Sequence, residues 1–296
     1  MRHRAVDLQQ FDNVLAPYDR YPEARVGADN GSDPLTATSP ERATDEPSAG
    51  VSSVTDRDPG VRRILREQFD YYDARANEYD DVWYRRGRYD LGPAGNERWF
   101  AETARLEAAV GAADIGGDVL ELACGTGIFT RHLVQRADRL TALDASPAVL
   151  AINAERVGDR SVTYDQADVF EWEPPDLMRY DHIFFGFFLS HIPPHRLDAF
   201  WERLERWLVP GGRVWFCDDA PGVDERPSNP GETVEDGPDW AHRRTLHDGR
   251  SFTIVKICHA PETLTAWLAD RGWHADIAPT GEEFIFGSAV PAAPSG

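Results

Sequence analysis

Glu121-Leu122-Ala123-Cys124-Gly125-Thr126-Gly127-Ile128-Phe129-Thr130 is the stretch that decides the fold. Asp118 to Ala123 is apolar enough for a buried strand, and Ile128 to Arg136 has helical spacing. Two glycines stand between them. A strand, a glycine turn and a helix let the backbone pass close to a ligand without a Cβ clash. The helix N-terminus then presents free amide groups to that ligand. Asp144 ends the next strand, where a carboxylate can accept hydrogen bonds from ribose hydroxyls. A dinucleotide fingerprint needs a third small residue after Gly127. Ile128, Phe129 and Thr130 stand there instead, which speaks for a ligand without a pyrophosphate.

The same alternation continues on either side. Leu140–Asp144, Ser161–Gln166, Tyr180–Phe188 and Arg213–Asp218 read as strands. Pro147–Val157 and Pro194–Leu208 read as helices, and Pro210-Gly211-Gly212 as a turn. Strands alternating with helices predict a parallel sheet covered on both faces. Upstream, Ile64, Leu65, Gln68, Phe69, Tyr72, Ala76 and Tyr79 recur at helical spacing, and a second helix is expected over Pro93–Val110. Downstream, residues 218–239 form an insert with eight acidic residues and one arginine. Arg244–His247 and Arg250–His259 flank Asp248-Gly249 as a hairpin. Pro261–Arg271 follows as a helix, and Trp273–Ala278 and Glu283–Ala289 as two final strands. Residues 1–60, rich in Gly, Ser, Asp and Pro after Gly27, are expected to be a disordered tail. Residues 61–290 then form one domain, 218–259 being its insert and hairpin, and 291–296 a C-terminal tail.

Net charge is −20, from 31 basic and 51 acidic residues. So negative a surface repels phosphate backbones and anionic membranes, so neither a nucleic acid nor a membrane is an expected partner. No run approaches the roughly 20 apolar residues of a membrane span. The N-terminus lacks a secretory pattern, and Cys124, Cys217 and Cys258 match no disulfide framework or zinc spacing, so a cytoplasmic location is expected and no metal. Lys256 is the one lysine of the chain.

Three motifs carry a family resemblance. Glu121–Gly127 resembles the first motif of class I S-adenosylmethionine (SAM)-dependent methyltransferases. Leu143-Asp144-Ala145-Ser146-Pro147 resembles the second, and Gln166-Ala167-Asp168-Val169-Phe170 the third. Tyr180-Asp181-His182-Ile183 and Pro210-Gly211-Gly212 resemble the landmarks of strands four and five. The similarity covers residues 61–289. It implies a Rossmann-like, mostly parallel seven-stranded α/β sheet with helices on both faces, N-terminal lid helices and a hairpin added after strand five. It also implies SAM as cofactor and a small-molecule acceptor, methylated on oxygen or nitrogen.

The resemblance assigns roles by position. Glu121 orients the loop and reaches the methionine amine through water. Ala123, Gly125, Thr126 and Gly127 carry the backbone under the methionine, although the family often has glycine where Ala123 stands. Asp144 binds the ribose, Ala145 and Ser146 flank the adenine, and Asp168 beside Val169 takes the adenine amino group. Phe185 and Gly186 line the methyl-transfer position. Tyr71–Asp80 resembles a helix that lids the cofactor, making Tyr72, Arg75 and Tyr79 candidate contacts, with Arg75 on the SAM carboxylate.

His191 follows strand four, where open α/β sheets place ligands, and is the candidate general base. Lys256 sits in the otherwise apolar Phe252–Ile257, so its charge must reach solvent or meet an anion. Lys256 or Arg244 is expected to pair with an acidic group on the acceptor. An internal salt bridge to the acidic insert is the alternative. Two other functions share the fold: a non-catalytic SAM-binding regulator and a nicotinamide-dependent oxidoreductase. The sequence leaves the oligomeric state open.

Overall fold

The computed structural model describes residues 55–158, 161–222, 232–234 and 237–292. The expected N-terminal tail lies outside these residues up to position 54, as do residues 223–231 and 235–236 of the acidic insert and the last four residues. The first helix begins two residues before Val61. Helix α1 spans Pro59–Ala74, with the Asp58 carboxylate accepting the Gly60 amide and proline at the first helical position. These are the ordinary start signals of a helix. Two short helical turns, Ala76–Glu78 and α2 (Tyr79–Trp83), lead to the long helix α3 (Gly92–Ala112).

The glycine turn follows β1 (Gly117–Leu122) and opens α4 (Thr130–Leu133). Only one α-helical turn forms where the spacing suggested two. Strand β2 (Ala137–Asp144) leads to α5 (Pro147–Val157), which Ser146 caps and left-handed Gly158 ends. Then come β3 (Val162–Gln166), β4 (Tyr180–Gly186), α6 (Pro194–Trp207) and β5 (Leu208–Asp219). The expected turn at Pro210-Gly211-Gly212 lies inside β5. The irregularity is absorbed where the pairing of β4 with β5 shifts register between Tyr180 and His182, and Gly211 takes φ 86°.

After the insert come β6 (Glu232–Thr233), β7 (Ala241–Thr245), β8 (Ser251–Val255), α7 (Pro261–Ala269), β9 (Trp273–Pro279) and β10 (Phe284–Pro291). The hairpin does form around Asp248-Gly249. Its loop is longer than two residues, because Thr245 and Ser251 are the last pair and Leu246 bonds Arg250 across the turn.

Seven strands make the main sheet in the order β3-β2-β1-β4-β5-β10-β9. Strands β1 to β5 run parallel, and β10 pairs antiparallel with both β5 and β9. The order reverses direction between β1 and β4, so the crevice at their carboxyl ends is the expected ligand position. Both faces are covered. Phe185, Phe200, Trp201 and Phe216 pack on one side, and Leu106, Phe129, Phe184 and Phe284 on the other. Burial on both faces explains the continuous apolar run of β4. Strands β6, β7 and β8 form a separate small sheet, and α1 lies against it. Among the described residues no helix is long and apolar enough to cross a membrane.

Candidate active site

Two adjoining cavities open at the carboxyl ends of β1, β2 and β4. The first encloses about 1000 Å³ including its mouth. Ala123, Gly125, Asp144, Ala145, Ser146, Asp168 and Val169 line it, as the motifs led one to expect. Helix α1 supplies the opposite wall through Leu65, Gln68, Phe69 and Tyr72, residues spaced along one helical face.

Asp144 holds the two loops of this cavity together. It accepts the Gly125 amide at 3.0 Å and the Ser146 amide at 2.9 Å. Burial raises its pKa, and these amides oppose the rise. Gly127 must be glycine. Its φ is +88°, and a Cβ there would meet the Asn153 side chain at 2.9 Å. Asn153 is fully buried on α5 and donates to the carbonyls of Cys124 and Gly125 and to Thr130. Nothing local marks that role beyond a polar residue in a helix. Ala123 has φ +49°, a left-handed conformation that explains why glycine is common at this position in such loops.

The lid is tied down at two points. Asp73 accepts from Ser146 Oγ at 2.6 Å, and Asp80 accepts from Thr126 Oγ1 at 2.6 Å while pairing with Arg156. Thr126 thus fastens the loop to α2 and is absent from the cavity wall.

The second cavity, about 660 Å³, shares Tyr72, Tyr79, Phe187 and His191 with the first. Its remaining wall includes Arg75, Arg244, Lys256 and Asp219. Arg75 comes 169 and 181 positions before Arg244 and Lys256, and all three are buried. Lys256 donates to Asp219 at 2.6 Å and to Ser190 at 3.0 Å, with Asp218 at 3.9 Å. The internal salt bridge foreseen as the alternative therefore exists, at the first two residues of the insert, and Lys256 still faces the cavity. Arg75 lies over the rings of Tyr71 and Tyr79.

The matches to known proteins agree with this geometry. A family model described as a methyltransferase domain matches residues 119–212. A solved DhpI–SAH complex is 37% identical, with TM-score 0.61, and the match covers 79% of this chain and 99% of DhpI. The chain belongs to the class I SAM-dependent methyltransferases. A DhpI–SAM–HEP complex matches at 38% identity and TM-score 0.61, over 77% of this chain and 98% of that one. Curated relatives include phosphoethanolamine N-methyltransferase 1 of Triticum aestivum, 32% identical over 49% of this chain, and trans-aconitate 2-methyltransferase of Mycobacterium tuberculosis, 34% identical over 54%. The chain spans 28% of the first relative's length and 57% of the second's.

The residues of this methyltransferase fit SAM in the first cavity. Asp144 stands where a ribose acceptor is needed, and Gly125 carries bare backbone along the wall. Glu121 is buried beneath the loop, away from the cavity wall. Its Oε2 has no hydrogen-bond partner among the described residues, and burial pushes its pKa up to about 8. Two expected contacts lie elsewhere. Phe185 stacks on Phe216 at 5.5 Å in the core, because successive strand residues point to opposite faces. Gly186, Phe187 and Phe188 line the cavity in its place, where the chain turns through Phe187 at φ +55°. Arg75, expected at the SAM carboxylate, lines the second cavity instead of the first.

His191 stands at the junction of the two cavities. Its Nδ1 lies 2.7 Å from the Val255 carbonyl, which can only accept, so Nδ1 carries the proton. Nε2 is then free to accept from the Tyr72 hydroxyl at 2.7 Å. Burial, and then the charges of Lys256, Arg244 and Arg75, pull the His191 pKa well below its usual value. Burial likewise keeps the Tyr72 hydroxyl protonated. His195, four positions on, points away and pairs with Asp56 at 2.8 Å.

Proposed function

We propose that this enzyme transfers the methyl group of SAM to the oxygen or nitrogen of a small anionic molecule held in the second cavity. The observation that carries the reading is the convergence of Arg75, Arg244 and Lys256 on a cavity that shares a wall with the cofactor cavity. Lys256 is paired with Asp219 on that wall, and an anion bound beside Arg75, Arg244 and Lys256 meets their charges at low dielectric. The names of the curated relatives point the same way, since phosphoethanolamine carries a phosphate and trans-aconitate carries carboxylates. A cavity of this volume belongs to a small ligand.

SAM supplies an activated methyl group, so the protein's work is positioning. The cations fix the acceptor's charged end, and Tyr72, Tyr79, Phe187 and His191 set the line between the two cavities. His191 is neutral at physiological pH and accepts a proton at Nε2 from an acceptor that holds one, directly or through Tyr72.

One experiment tests both parts: acceptor kcat/KM against pH for the native enzyme and for Arg244→Gln. Native kcat/KM is flat from about pH 6 to 8, because the lowered pKa of His191 keeps it neutral there. Removing the Arg244 charge raises the acceptor KM about tenfold or more and leaves the SAM Kd unchanged. It also moves the acid limb toward neutrality, because one of the charges that lowers the His191 pKa is gone. An unchanged KM in Arg244→Gln contradicts the anion site.

A further inference from the structure

Phe69 is one of two large apolar residues that stay exposed among the described residues, at 43%. It belongs to none of the described apolar clusters. Its helix packs through a different stripe: Val61, Ile64 and Tyr71 are buried, against the small sheet. Phe69 lies on the stripe that faces the cofactor cavity. An exposed aromatic ring on a cavity wall has no packing duty in this state.

The two ends of that cavity can be told apart. At the inner end Tyr72 meets His191, where the second cavity begins. At the outer end stand Phe170, Pro193 and Arg196. Arg196 lies 4.7 Å from the Phe170 ring and pairs with Asp56, just before α1. The first turns of α1 therefore border the outer end. Between the two, Asp73 is bonded to Ser146, next to the ribose acid Asp144. Phe69 lies one helical turn, about 5.4 Å, before Asp73 on the same helix face. That step leads from the ribose toward the outer end, where Asp168, Val169 and Phe170 stand.

We infer that Phe69 is a lid residue that stacks on the adenine ring of SAM and closes the outer end of the cofactor cavity. The inference rests on the family's cofactor and adds a contact that the sequence motifs do not contain. A flat, polarisable base is the part of SAM that rewards an aromatic cover, and a purine buries the ring's exposed face. Asp73, four residues after Phe69 on the same helix, accepts from Ser146 Oγ and so ties α1 to the loop after β2.

Calorimetric titration of S-adenosylhomocysteine and of adenosine into native enzyme, Phe69→Ala, Phe69→Leu and Phe69→Trp tests it. The ring is exposed, so each variant folds, and a thermal melt confirms it. Phe69→Ala and Phe69→Leu are expected to weaken both ligands by about the same factor, tenfold or so, and Phe69→Trp to bind as tightly as native. Equal losses for the two ligands place the contact on the adenosine half. A Phe69→Ala variant of native affinity overturns the cap, and so does Phe69→Leu binding as well as native. A loss for S-adenosylhomocysteine with none for adenosine puts Phe69 on the amino-acid half and overturns it too. Native enzyme that binds neither ligand sinks the cofactor reading itself.

Discussion

Lys256→Met is expected to lower the melting temperature by roughly 10 °C and to raise the acceptor KM by one to two orders of magnitude. The two effects have different causes. Lys256 is the buried counter-charge of Asp219, with Asp218 beside it. Removing one partner of such a pair strands the other and costs about 3–5 kcal/mol. Burial raises the Asp218 pKa, and the Lys256 charge, with hydrogen bonds from Ser190, opposes that rise. The acceptor loses a charge-assisted bond, which is about 1.5–3 kcal/mol, or tenfold to a hundredfold. A second substitution separates the two. Asp219→Asn in the Lys256→Met background removes the stranded charge and recovers much of the stability. It leaves the acceptor KM high, because the cation is still missing. Thermal melts and steady-state kinetics on the pair read both quantities. A Lys256→Met enzyme with native KM and native stability would end the anion reading.

The second large effect belongs to Asp144. Asp144→Ala should weaken SAM binding about a hundredfold or more by calorimetry. The side chain does two things at once. It lines the cavity where the second motif implies the ribose, and it holds the Gly125 and Ser146 amides in place. Each charged hydrogen bond is about 1.5–3 kcal/mol, and two lost to the ribose account for the expected factor before any loosening of the loops. Asp144→Asn keeps the shape but offers only one acceptor oxygen, so its loss is smaller. Because burial raises the Asp144 pKa, SAM affinity in the native enzyme falls as pH drops toward that raised value. An Asp144→Ala protein that is folded and binds SAM at native affinity contradicts the assignment.

Much of the first cavity's lining was legible in the sequence because the loops that form it are local. Gly125, Gly127, Asp144 and Asp168 follow strand ends in the order that the chain itself imposes, and a strand-to-helix turn is written within ten residues. Asn153, which holds the loop from below, was not legible, because nothing local separates it from any other polar helix residue. The end of β4 misled for a similar reason. Phe184, Phe185, Phe187 and Phe188 look alike in a run of apolar residues, and only the packing on both faces and the turn at Phe187 decide which side chains meet the ligand.

The acceptor cavity depends on distant parts of the chain. Arg75 comes from the end of the lid helix, and Arg244 and Lys256 from the hairpin more than 160 positions later. Sequence could single out Lys256, a charge in an apolar strand, but could not choose between a ligand and an internal partner. The structure shows the internal partner, Asp219, and sets the pair on a cavity wall. The link from Tyr72 to His191 likewise spans 119 positions and follows only from how α1 lies against β8 and reaches the helical turn after β4.

The most direct test of the account is release of S-adenosylhomocysteine from SAM with a panel of small acceptors in matched pairs. Each pair carries the same hydroxyl or amine with and without a phosphate or carboxylate, phosphoethanolamine against ethanolamine among them. Turnover is expected with the anionic members and little or none with their neutral partners. Neutral members turned over as well as or better than the anionic ones would contradict it.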